Sequence, residues 1–179
     1  GCVDGTAIDE QLYCTGELQD WLRTHVQYAL SAASQRVGQL AALQPRTVAV
    51  QAPHGMGVRT TVRAFCRRQR CVLLVYDPQV PPTEPNDRLL FGYMCELHAD
   101  GRPCVLLVHR CDRSWQPHER PEPIGRLMAM WHFHAELLPR AWLLWSMGCD
   151  VRSLHSALAS AAHAVVLPAR RLDADFVRQ

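Results

Sequence analysis

Residues 47–70, TVAVQAPHGMGVRTTVRAFCRRQR, contain three segments of different character in immediate succession. Residues 47–51 are mostly apolar or β-branched, which is typical of a buried strand. The loop that follows carries glycine at positions 55 and 57, and a helical pattern runs from Thr60 to Gln69. A strand, a glycine-bearing loop and a helix in this order predict one unit of an α/β fold.

The same layout occurs in the phosphate-binding P-loop, G-x-x-x-x-G-K-[ST], in which backbone N–H groups cradle phosphates, lysine neutralises them and the hydroxyl holds Mg²⁺. Without a gap, Ala52 and Gly57 take the two glycine positions. Val58 then takes the lysine position and Arg59 the hydroxyl position. A shift of one residue places Arg59 at the lysine and Thr60 at the hydroxyl, but both glycines are then lost. Neither alignment is complete.

Composition predicts one intracellular globular domain. The chain has 179 residues, of which 48% are hydrophobic and 20% charged, and no apolar run approaches the length of a membrane span. All 19 basic residues are arginine, so no lysine can serve a P-loop, and the net charge of +2 does not by itself indicate nucleic acid. The eight cysteines form no C-x-x-C motif, which favours reduced, buried thiols.

Apolar runs and helical periodicity alternate along the chain. A long leading helix is predicted over about residues 17–43. The predicted strands and the helices between them cover residues 47–51, 60–69, 71–76, 87–99, 104–109, 124–138, 141–147, 153–161 and 164–167. This alternation predicts a single α/β domain over residues 1–179, with a five-stranded parallel P-loop-type sheet between two helix layers.

Four segments, in this order, resemble the large α/β subdomain of AAA+ ATPases of the katanin, spastin and fidgetin type. Residues 52–65, APHGMGVRTTVRAF, resemble the family's GPPGTGKTTLVRAL, and residues 102–112, RPCVLLVHRCD, resemble its Walker B segment. Residues 141–158, AWLLWSMGCDVRSLHSAL, are similar to the sensor strand and the helix after it. Residues 162–168, AHAVVLP, are similar to the final strand and its proline.

The resemblance implies a chemical role for several positions, and this sequence departs from each. His109 and Arg110 stand where the family has the Walker B Asp and Glu that order Mg²⁺ and activate water. Cys149 stands at the sensor Asn, and Val58 at the lysine of the ungapped alignment. A second acid of the Walker B region, Asp112, is present.

Three further family features are missing from the sequence. Residues 159–163, where the resemblance places the arginine fingers, contain no arginine, and the loop at 78–86 contains no aromatic residue to grip a threaded polypeptide. The family's helical lid would follow Phe176 and is not contained in the 179 residues. Phosphoryl transfer depends on positioning and charge neutralisation, so the changes at the lysine, Walker B and arginine-finger positions together predict a catalytically degenerate, pseudo-ATPase domain.

Three functions follow from this resemblance. The first is a structural or regulatory interaction module that needs no cofactor and binds a protein partner, such as an active AAA+ relative in a hetero-oligomer. The second is a weak ATP-binding or ATP-hydrolysing protein in which Gly55, Gly57, Arg59, Thr60 and Thr61 retain residual ATP or ADP binding. The third is a nucleic-acid-binding module built on an arginine-rich helix.

The arginine-rich helix presents Arg63, Arg67 and Arg70 on one face, which fits nucleic acid, an acidic partner or a solvated surface. His132 and His134 invite a zinc hypothesis, but these two positions point to different faces of a helix. A nucleophilic Cys–His pair has no recognisable local setting. We therefore predict no metal site and no catalytic residue.

Overall fold

The computed structural model describes residues 16–31, 46–76 and 84–167. The second half of the predicted leading helix, most of the loop at 78–86 and Phe176 lie outside the described residues. Five parallel strands form one sheet in the order β2-β3-β4-β1-β5. Their bounds are β1, Thr47–Gln51; β2, Val72–Tyr76; β3, Cys104–Val108; β4, Ala141–Met147; and β5, His163–Val166. The predicted α/β class with a five-stranded parallel sheet is confirmed.

The helices lie between the strands in the chain. The leading helix, α1, comprises Gly16–Trp21, a π-helical stretch Leu22–Gln27 and a last turn Tyr28–Leu30. The others are α2, Val58–Gln69; α3, Glu84–Ala99; α4, Cys111–Ser114; α5, Pro121–His134; α6, Val151–Leu154; and α7, Ser156–Ala161. None of the helices within the described ranges is long and apolar enough to cross a membrane.

Two predicted helices are interrupted in the structure. The leading helix is broken after Leu30 because Ser31 is extended (ψ 148°) and its hydroxyl donates to the Tyr28 carbonyl at 2.6 Å. Such side-chain bonds compete with continued helix. The helix predicted over 153–161 is two helices, because His155 is extended and its Nδ1 accepts the N–H of Ala157, which caps α7.

Alternate side chains of the sheet enter two separate cores. On one face α1 and α2 pack over Val48, Val50 and Trp142, and on the other α3, α5, α6 and α7 pack over Ala49 and Trp145. Trp142 and Trp145 are both fully buried on opposite faces, so each meets a helix layer. The result is the predicted three-layer sandwich.

The path of the chain explains where a crevice forms. From β1 the chain crosses to β2 through α2, whereas every later crossover moves the other way through the opposite helix layer. Right-handed crossovers in opposite directions place their helices on opposite faces. The neighbouring strands β1 and β4 are therefore followed by helices on opposite faces of the sheet. Open α/β sheets bind ligands in the crevice that forms between two such strands.

Candidate functional site

The loop after β1 forms one wall of this crevice. The N–H of Ala52 bonds to the Met147 carbonyl at 2.8 Å, which extends the β1–β4 ladder by one residue. Gly55 and Gly57 have φ of +85° and +76°, a left-handed conformation that favours glycine. Gly57 is the N-cap of α2, and its carbonyl accepts the N–H of Thr61 at 2.8 Å.

The side chains at the start of α2 point in different directions. Val58 is the first helical residue, as the ungapped alignment requires, and it is buried (6% exposed) in the core beneath α1 and α2. Arg59 is exposed and Thr60 is half-buried, and both line the crevice. Thr61 is buried and does not line it. The position expected to hold a lysine is therefore part of the apolar core.

The opposite wall is formed where β3 ends. Arg110 has φ +55°, and its backbone N–H donates to the hydroxyl of Ser146 at 3.0 Å. The same hydroxyl lies 2.8 Å from Nδ1 of His109. A hydroxyl offers one proton and two lone pairs, so Ser146 can accept from Arg110 and bond to His109 at the same time. Ser146 thus fixes both residues after β3.

Two contacts cross the cleft. The Arg110 guanidinium contacts the ring of His54, which joins the loop after β3 to the loop after β1. Oδ2 of Asp112 accepts the N–H of Gly148 at 2.9 Å, which joins the loop after β3 to the residue after β4. A methyl group added at Gly148 would lie 3.2 Å from Asp112 Oδ2, so this approach is tight.

The cleft between these walls has a volume of about 270 Å³ and a basic lining. Small-ligand pockets usually occupy about 300–1,000 Å³. Its ionisable lining residues are three arginines, two histidines and one carboxylate: Arg59, Arg110, Arg113, His54, His109 and Asp112. This balance suits an anion. No three histidine, cysteine or acidic side chains of the described residues come together as a metal site.

Most of the site residues expected from the sequence meet in this cleft. Gly55, Gly57, Val58, Arg59, Thr60, His109 and Arg110 all line it. Thr61 and Cys149 do not. Cys149 is half-buried, and the neighbouring Asp150 caps α6 by accepting the N–H of Arg152 at 2.8 Å. Sequence reasoning missed His54 and Ser146, although Ser146 is the one hydroxyl in the apolar run AWLLWSM.

We expect Ser146→Ala to lower the free energy of unfolding by about 2 kcal/mol, because it leaves the half-buried Arg110 N–H and His109 ring without their shared partner. In a thermal melt this corresponds to a fall of about 4–8 °C. Ser160→Ala, which removes an exposed hydroxyl from α7, is the control and should stay within about 0.5 kcal/mol of the parent. Equal melting temperatures for the two variants would contradict the assigned role of Ser146.

Comparison with known proteins places this crevice in a known fold. The chain has an α/β fold like that of the large subdomain of AAA+ proteins. Among solved structures it is similar to the crystal structure of the FIGL-1 AAA domain in complex with ADP, with a TM-score of 0.60 and 13% sequence identity. The alignment covers 84% of this chain and 51% of that chain, so this chain spans about half of its length. At this identity the likeness shows the fold alone. No protein-family model and no curated protein matches the chain.

Proposed function

We propose that this chain is a catalytically degenerate AAA+-like domain that acts as a structural or regulatory module and binds a protein partner. The observation that carries the proposal is the chemistry of the cleft at the β1–β4 crevice. Val58 is buried at the lysine position, and Arg110 occupies the position that the resemblance gives to the catalytic glutamate. The one carboxylate that lines the cleft, Asp112, accepts a hydrogen bond from the N–H of Gly148.

These residues do not fit a Mg²⁺–nucleotide complex. Mg²⁺ at phosphate-transfer sites is held by one or two carboxylates together with the phosphates. Here a guanidinium and an imidazole, those of Arg110 and His109, follow β3 where such carboxylates are expected, and no lysine neutralises the phosphates. Catalysis of phosphoryl transfer is mostly electrostatic, so an attacking water would find neither a base nor an ordered metal. We therefore derive no hydrolytic step.

A second candidate, weak binding of a nucleotide or of phosphate without turnover, is favoured by the basic lining. The two left-handed glycines permit close backbone approach, α2 presents its amino terminus, and Arg59 is exposed beside them. The FIGL-1 AAA domain, which has a similar fold, was crystallised in complex with ADP, which supports testing a nucleotide on this chain. This candidate differs from the first in affinity for nucleotide, so the two can be separated by experiment.

Thermal melts with and without ATP·Mg²⁺ test the proposal. A site with a dissociation constant near 10 μM would stabilise the chain by about 2.7 kcal/mol at about 1 mM ligand. This corresponds to about 5–10 °C, whereas we expect no shift. A shift that Arg59→Ala removes would support the second candidate. Turnover of ATP by the parent chain above that of Arg59→Ala would overturn the proposal of a degenerate enzyme.

The partner is tested separately by mixing the chain with AAA+ proteins of the same source and measuring mass by light scattering. We expect a hetero-oligomer with at least one of them. The exposed apolar side chains of α3 and α5, Leu89 and Phe133 (73% and 74% exposed), are candidates for the contact. A chain that stays monomeric with each of these proteins would contradict the partner assignment.

A further inference from the structure

Helix α2 carries a stripe of arginines along one face, and of these only Arg59 lines the cleft. The arginine stripe consists of Arg59, Arg63, Arg67 and Arg70. The steps of four, four and three residues keep these side chains on one face of the helix. All four residues are exposed, and Arg70 is the C-cap that ends α2. The stripe is about 16 Å long, at about 1.5 Å per residue.

Among the residues that the structure describes, no acidic side chain forms an ion pair with the stripe. The sequence of α2, VRTTVRAFCRRQ, contains no acidic residue. The ion pairs of Arg23 and Arg126 lie elsewhere in the described part of the chain. Like charges three or four residues apart destabilise a helix. An anionic ligand along the stripe would remove this repulsion.

The surroundings of the stripe indicate which anion fits. The large exposed hydrophobic residues of the described chain lie on α1, α3, β5 and the end of α5, and none lies on α2. Protein interfaces normally have an apolar or aromatic centre, and single-stranded nucleic acids stack their bases on aromatic side chains. The α2 face offers neither. The exposed groups on this face are guanidinium groups. These pair with phosphate oxygens, and such contacts do not depend on the base sequence.

We propose that the arginine stripe binds the phosphate backbone of double-stranded nucleic acid without sequence preference. Over about 16 Å, one strand presents about five phosphates at about 3.4 Å per step, so each arginine can reach a phosphate. The site uses charge that lies outside the crevice, apart from Arg59. This proposal can therefore be tested separately from nucleotide binding and from the protein partner proposed above.

Fluorescence anisotropy with a labelled DNA duplex of about 24 base pairs and mixed sequence tests the proposal. Four phosphate contacts predict a slope of log affinity against log salt of about −3.6, which is a loss of about 150-fold between about 50 and 200 mM salt. In Arg63→Glu/Arg67→Glu the slope should fall to about −1.8, a loss of about 12-fold over the same range. The affinity of this variant at low salt should fall by at least about tenfold.

Two controls keep the result interpretable. Arg152→Glu changes the net charge as Arg63→Glu does, at an exposed helical residue beneath the other face of the sheet, and it should leave duplex binding within about twofold. Arg63→Glu/Arg67→Glu should not lower the melting temperature. It replaces two like-charge pairs with two opposite-charge pairs, and a rise of about 2–4 °C is expected. A loss of duplex binding in that variant is then not caused by unfolding.

Several results would overturn the proposal. These are no duplex binding at about 50 mM salt, an equal loss in Arg152→Glu, and equal affinity for the single strand of the same sequence. Tighter binding of poly-glutamate than of the duplex, with the same dependence on Arg63 and Arg67, would assign the stripe to an acidic protein instead.

Discussion

Raising the pH from about 7.5 to about 10 is expected to lower the free energy of unfolding by about 6 kcal/mol, because three buried thiols stay protonated in the folded chain. Cys66 and Cys104 are 2% exposed and Cys111 is fully buried. Burial raises the pKa of Cys66 and of Cys104 to about 12, and that of Cys111 further. An unfolded cysteine has a pKa of about 8.5.

The sign follows from these raised pKa values. Below about pH 8.5 the thiols are protonated in both states, and their contribution to stability is fully present. Above that pH the unfolded chain ionises while the folded chain does not, so stability is lost as the pH rises toward the folded pKa values. At about pH 10 each thiol accounts for about 2 kcal/mol. Total stabilities of about 5–15 kcal/mol are usual, so the chain should be close to unfolding there.

Urea unfolding under reducing conditions at the two pH values measures this effect. Cys66→Ala is the matched variant, since it should reduce the pH-dependent loss by about 2 kcal/mol, whatever the substitution costs at neutral pH. Cys104→Ala, in the core on the opposite face of the sheet, should behave in the same way. If the parent chain is equally stable at both pH values, the buried thiols ionise in the folded state and the assignment is wrong.

The strands were predictable because their apolar runs are nearly continuous. CVLLV and AWLLWSM are buried along their whole length, which is the pattern of strands covered on both faces. Helix ends were harder, because they depend on single side chains. The hydroxyl of Ser31 and the imidazole of His155 decide where a helix stops or restarts, and no periodicity reports either one.

The candidate site was predictable to the extent that it lies at strand ends. The glycines of the loop after β1 were found from the P-loop layout, and His109 and Arg110 after β3 from the resemblance to the Walker B segment. They meet in one cleft because parallel strands bring their carboxyl ends to one edge. The contact between His54 and Arg110 and the bonds of Ser146 join positions 36 to 56 residues apart. Predicting such pairs requires the strand order and the register of the sheet. A single segment of sequence contains neither.

The second large effect is expected at Asp87, where substitution by alanine should lower the free energy of unfolding by about 3–5 kcal/mol. Asp87 lies on α3 and is fully buried. Its carboxylate accepts the hydroxyl of Tyr76 at 3.1 Å and Nε of Arg126 at 2.5 Å. Burial, and then the charge of Asp87, raise the pKa of Tyr76, so the phenol remains a donor. One carboxylate thus joins β2, α3 and α5.

The chain supplies a matched control for this prediction on the same guanidinium. Glu122 pairs with Arg126 at 3.2 Å, but its side chain is 85% exposed. Glu122→Ala should therefore cost at most about 0.5 kcal/mol, because an exposed pair is screened by water. Tyr76→Phe should cost about 1 kcal/mol, since it removes one bond to the same carboxylate. Equal losses in Asp87→Ala and Glu122→Ala, measured by urea unfolding, would show that burial is not the source of this stability. The difference between them isolates the cost of removing a buried carboxylate, rather than an exposed one, from Arg126, together with the loss of its bond to Tyr76.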